Sequence, residues 1–168
     1  MAQIFTSYSR KDTRTVDHLA ERLERAGHSV WVDREGIDGG SQWRESIVKA
    51  INDADIFLLV LSEHSAASDN VRRELDLAQG APARVMPVQF GPVQIPEGMA
   101  YQLAGVQIID MTEDRDIGVQ KLLAAMDELP GATPTAPQPA AQPAEEDPKV
   151  DLAGLGGGGF LSRLFGRR

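Results

Sequence analysis

Residues 56–61 read Ile56-Phe57-Leu58-Leu59-Val60-Leu61, an apolar run with no polar position in it. A strand covered on one face alternates apolar and polar residues. One that is apolar throughout needs cover on both faces, the mark of a parallel sheet with helices on each side. The run is far short of the roughly 20 residues that span a bilayer, so it reads as a central strand. Around it, Ile4-Phe5-Thr6, Val30-Trp31-Val32, Val85-Met86-Pro87-Val88 and residues 106–109 read as further strands. Helical stripes lie between them: Val16, Leu19, Ala20 and Leu23, stopped by Gly27; Trp43, Ile47, Ala50 and Ile51; Val71, Leu75 and Ala78; and Ile117, Leu122, Met126 and Leu129. The alternation predicts an α/β fold, a doubly wound five-stranded parallel sheet with flavodoxin-like strand order. Ligands of such sheets sit beyond the carboxyl ends of the strands, where the winding reverses. Residues 7–12, 33–42 and 62–70 are therefore the candidate loops.

The chain has 168 residues, a net charge of −8 and no cysteine. Disulfides, thiolate metal sites and a cysteine nucleophile are excluded, and a reducing compartment fits. The acidic balance argues against nucleic acid, whose phosphates call for a clustered positive face. No basic segment followed by a long apolar one opens the sequence, so a soluble, cytoplasmic protein is expected. Composition changes after Leu129, where residues 130–148 read PGATPTAPQPAAQPAEEDP. That stretch is too poor in large apolar side chains to offset ordering entropy. We divide the chain into a folded domain at 1–130, a Pro/Ala/Gly-rich disordered linker at 131–159 and an amphipathic basic tail at 160–168. The tail, FLSRLFGRR, suits a partner groove or a membrane surface.

Several doubly wound families are excluded. A receiver domain needs acidic residues after its first strand and an aspartate after its third, where this chain has Ser7-Tyr8-Ser9 and Ser62-Glu63-His64. Neither G-x-G-x-x-G nor G-x-x-x-x-G-K-[ST] occurs. The hydroxyls of residues 6–15 are too loosely spaced for a flavodoxin phosphate loop. His64 has no companion at metal-ligand spacing and His18 lies on a polar helix face, so no metal site is expected. One residue breaks the pattern. On the helix carrying Val71, Leu75 and Ala78, Glu74 projects about 60° from Val71 and about 40° from Ala78, at the rim of the buried stripe. A carboxylate there either pairs with a cation such as Arg10 or serves a site.

The segments IFTSYSRKD (4–12), AGHSVWVDREGIDGGSQW (26–43), AINDADIFLLVLSEHSAASDNVRRELDLA (50–78) and RVMPVQF (84–90) together resemble the Toll/interleukin-1 receptor (TIR) domain family, particularly its bacterial members. The resemblance covers residues 2–128. It implies one of two functions: an NAD+ nucleosidase activated by self-assembly, in signalling, defence or virulence, or a non-enzymatic adaptor acting through TIR–TIR contacts. In the enzymes a glutamate on the helix after the third strand is catalytic, usually four residues after a tryptophan. The match puts Glu74 on the glutamate and Asn70 on the tryptophan, a departure from the pattern. It further implies Tyr8 and Trp43 as the wall for the nicotinamide ring and a loop around 34–42, with Gly36, Gly39 and Gly40, that mediates protomer contacts and gates the site. No cofactor is implied, NAD+ being the substrate.

The chemistry asks little of the protein. The pyridinium leaves ribose C1 as neutral nicotinamide, so no acid is needed for the leaving group and one carboxylate suffices to stabilise the oxocarbenium-like charge. Ser9 and Arg10, with Ser7 and Lys11, would lie near the phosphates. Asn70 offers a hydrogen bond but no stacking surface. The same residues have plain readings: Trp43 fits the buried side of a first helical turn, Ser7 and Ser9 serve as loop hydroxyls, and Arg10 and Lys11 as solvated charge.

Overall fold

The computed structural model describes residues 1–33 and 41–128. In chain order the elements are β1 (Gln3–Ser7), a 3-10 turn (Arg10–Asp12), α1 (Thr13–Arg25), β2 (Ser29–Val32), α2 (Ser41–Asp53), β3 (Ile56–Leu61), α3 (Glu63–Ala66), α4 (Asp69–Gln79), β4 (Arg84–Gln89), α5 (Glu97–Gln102), β5 (Ile109–Asp110) and α6 (Arg115–Asp127). The strands form one sheet of order β2-β1-β3-β4-β5, parallel throughout. This is the predicted doubly wound architecture.

β3 shows why the run at 56–61 decides the fold. All of its side chains are buried. Ile56, Leu58 and Val60 join one core with Val16, Leu19 and Leu23 of α1 and Val119, Leu122 and Met126 of α6. Phe57, Leu59 and Leu61 join the other, with Ile47 and Ile51 of α2 and Val71 and Leu75 of α4. β1 divides in the same way: Ile4 faces the first core and Phe5 the second. The Phe5 ring stacks on Trp31 at 4.7 Å and on Phe57 at 5.5 Å between centroids, tying three neighbouring strands on that face.

Gly27 ends α1 as its position predicts. Its φ of 91° lets its N–H reach the Glu24 carbonyl at 2.9 Å and the His28 N–H reach the Leu23 carbonyl at 3.1 Å, the paired bonds of a Schellman stop. A Cβ there meets no other atom, so the cost of a side chain is conformational. Gly27→Ala is expected to lower stability by about 1 kcal/mol, read as a lower urea midpoint at unchanged m-value.

Three expectations need correction. Strand β5 lies at 109–110, not 106–109, because the chain is still leaving the turn after α5: Val106 N–H bonds the Leu103 carbonyl at 3.0 Å, and pairing with β4 begins at Ile109. Residues 62–70 are not an open loop, since Ser62 caps the short helix α3 through a reciprocal bond with Ser65. Ile117, assigned to the stripe of α6, is half exposed. Gly118 takes the inward position, where a Cβ would come within 2.6 Å of Met111 Cγ; this close approach to the end of β5 turns Ile117 outward. Leu129, the linker, the tail and residues 34–40 of the gating loop lie outside the described residues. Among the described residues no helix is long and apolar enough to cross a membrane.

Candidate functional site

The winding reverses between β1 and β3, and the candidate residues gather at the carboxyl ends of these strands and of β2. Ser7 ends β1 opposite Leu59 of β3. Thr6 pairs with Val32, so the parallel register carries the next residue, Asp33, to the level of Ser7. α4 crosses this end of the sheet on the Phe5 face, anchored by Val71, Leu75 and Ala78. Ser68 begins that helix by accepting the Val71 N–H at 3.4 Å.

Glu74 is buried, with 9% of its surface exposed. Ser7 Oγ donates to its Oε2 at 2.6 Å, across 67 residues of sequence. Burial pushes the carboxyl up to about 7; the Ser7 hydroxyl pulls in the opposite direction, and the negative charge of Asp33 adds to the rise. A buried carboxyl raised this way is a mark of a functional position, although ion-pair networks produce shifts as well. Ser7→Ala removes the hydrogen bond that favours the ionised form. It is expected to move the Glu74 midpoint further above 7, read by NMR titration of the side-chain carboxyl.

Arg10 does not pair with Glu74. Its guanidinium lies 3.6 Å from Asp33 Oδ2. The Trp43 indole, on the first turn of α2, donates from Nε1 to Asp33 Oδ1 at 3.2 Å, and Tyr8 donates from its hydroxyl to the Asp33 carbonyl at 2.9 Å. Trp43 borders the core beneath α2 and α4. The Tyr8 ring packs against the core on the other face, because strand alternation sends residue 8 the way of Ile4, and its hydroxyl reaches Asp33. The two rings thus border the cores on opposite faces of the sheet while both reach Asp33.

Ser9 is half-buried at the start of the 3-10 turn, and its carbonyl accepts the Asp12 N–H at 2.7 Å. Asp12 is tied to the end of β3 by the Ser62 hydroxyl at 2.5 Å, which fixes the turn after β1. Asn70 is half-buried one turn ahead of Glu74. Lys11, His18 and His64 are exposed.

Two residues of the site carry little signal in the sequence. Ser7, taken as a loop hydroxyl, is the last strand residue, with no exposed surface. Asp33 stands at the head of a candidate loop, and nothing in its local spacing marks it. The signal for both is register: in a parallel sheet of this strand order, the residues that end β1 and follow β2 stand side by side.

The geometry defines a doubly wound α/β domain with a desolvated carboxylate at its switch point. A sequence profile described as the TIR domain matches residues 4–123, and the chain belongs to the TIR domain family. Among solved structures, the TIR domain of the Toll-related receptor TRR-2 from Hydra magnipapillata is 19% identical with a TM-score of 0.62, covering 74% of this chain and 98% of that one. The Clostridium botulinum CMP N-glycosidase BcmB is 16% identical at a TM-score of 0.56, with 71% and 97% covered. The RPS4 and RRS1 TIR domain heterodimer gives 18% identity and 0.51, with 75% and 96% covered. At these identities the likeness is one of fold. Two curated proteins of Desulfitobacterium hafniense, both named argininosuccinate synthase, are 32% identical over 108 residues, 62% of this chain. The chain spans about a quarter of the length of these relatives, 25% and 24%.

Proposed function

We propose that this TIR domain cleaves NAD+ between nicotinamide and ribose, with Glu74 as the catalytic carboxylate, once copies of the domain assemble. The observation that carries the reading is the burial of Glu74 and its bond to Ser7 at the carboxyl ends of the strands. The C1–N bond breaks with its electron pair going to the pyridinium nitrogen, which leaves as neutral nicotinamide. The developing positive charge on the ribose is met by ionised Glu74, whose attraction for it is stronger in a desolvated site than in water. Water then captures C1 and loses a proton, giving ADP-ribose, or an adenine nitrogen captures it to give a cyclic product. Trp43 flanks the nicotinamide, and Ser9, Arg10 and Asn70 offer polar contacts to the rest of the substrate. An N-glycosidase among the similar folds supports the class of bond. The resemblance to bacterial members supports a cytoplasmic role in signalling, defence or virulence.

A second reading, an adaptor working through TIR–TIR contacts, is favoured by Asn70, which cannot stack as the tryptophan of the enzymes does, and by the heterodimer among the similar folds. The test is nicotinamide release from NAD+ by the purified chain, at high concentration and with a crowding agent. Release that increases with assembly supports the enzyme. No release under any assembling condition supports the adaptor.

A further inference from the structure

We infer that Asp33 is a positioning residue at the strand ends, holding the Trp43 indole and the Arg10 guanidinium; the inference rests on the enzymatic reading above. Three side chains from two separate segments converge on this one residue, each at a different atom. Oδ1 accepts from Trp43 at 3.2 Å, Oδ2 faces Arg10 at 3.6 Å, and the carbonyl accepts from Tyr8 at 2.9 Å. The Asp33 side chain is 16% exposed and Arg10 is 44% exposed. The anchor is thus largely shielded, while the guanidinium it holds remains open to an anionic ligand such as a pyrophosphate. An Arg10 side chain left to itself would lose rotamer entropy on binding, and the Asp33 contact restricts it beforehand.

Asp33 acts on Glu74 as well as on its own partners, since its negative charge opposes ionisation of that carboxyl. From β1, the Ser7 hydroxyl bonds Glu74; Arg10 is engaged with Asp33. On its own helix Asp69 and Arg72 pair with each other at 3.3 Å, and Arg73 is exposed. Loss of the Asp33 charge reports whether Asp33 faces Glu74, separately from its hold on Trp43.

The experiment compares wild type, Asp33→Asn and Asp33→Ala in the full chain, each also carrying Trp31→Phe so that Trp43 is the sole indole. Asparagine retains an acceptor for Trp43 but loses the charge; alanine loses both. Asp33→Ala is expected to make Trp43 fluorescence more accessible to acrylamide and to lower kcat/KM for NAD+ by about 10- to 100-fold. Asp33→Asn is expected to keep the quenching of the parent, raise KM through the loosened Arg10, and lower the Glu74 midpoint seen by carboxyl NMR. Unchanged quenching in Asp33→Ala, or an unmoved Glu74 midpoint in Asp33→Asn, overturns the inference. If wild type releases no nicotinamide, the enzymatic reading fails by itself, while quenching and the NMR midpoint still decide the role of Asp33.

Discussion

Glu74→Gln is expected to lower nicotinamide release by about 100- to 1,000-fold, the usual loss when one preorganised electrostatic contact to a transition state is removed. The substitution is chosen to isolate charge. Glutamine matches the volume of glutamate, and its carbonyl oxygen still accepts the Ser7 hydroxyl that now bonds Oε2 at 2.6 Å. Binding of NAD+ would change less than turnover, because the full positive charge on the ribose exists only in the transition state. The readout is kcat and KM under assembling conditions. Turnover that persists in the variant removes Glu74 from the mechanism, whatever the wild type does.

The same substitution is expected to stabilise the folded chain above neutral pH. The folded state holds the Glu74 proton up to about 7, whereas the ordinary value is 4.5. Between these values the folded state binds more protons than the unfolded chain, so stability contributed by this group falls as pH rises through the window. The full penalty, about 3 kcal/mol at roughly 1.4 kcal/mol per pH unit, is present above the folded-state value. Urea unfolding at pH 8 should therefore show Glu74→Gln more stable than wild type by about 2–3 kcal/mol, with the difference nearly gone at pH 4.5. A variant equally or less stable than wild type at pH 8 would mean that the carboxylate is well solvated or well paired. Greater stability combined with lost turnover is the pattern expected of a group kept for function at a cost to the fold.

Much of the scaffold could be read from residues 56–61 outward, because a strand apolar on both faces permits few architectures. The stripes of α1 and α4 were legible for the same reason, each facing a single core. In α6, Leu122 and Met126 face the core as their spacing predicts, and only Ile117 turns outward. The inward residue there is Gly118, which carries no hydrophobic signal and reveals itself only through the approach of Met111. The six-residue α5 and the two-residue β5 are too short for periodicity to place them, and the turn at Leu103–Val106 links them.

At the candidate site, helical spacing put Glu74 only at the rim of a stripe. Its burial follows from the neighbouring strand end, which supplies the Ser7 hydroxyl. Helical periodicity describes a residue's own element, whereas the Ser7–Glu74 and Asp33–Trp43 contacts span elements far apart in sequence. Family resemblance supplied the identity of Glu74; strand register is what would have supplied Ser7 and Asp33.

The most direct test of the central claim, that Glu74 is a desolvated carboxyl bonded to Ser7 at the strand ends, is a carbon-13 NMR titration of its side chain, assigned by the signal missing from Glu74→Gln. A midpoint near 7 is expected, displaced upward in Ser7→Ala. A midpoint close to the ordinary 4.5, unmoved by loss of the serine hydroxyl, would contradict that claim.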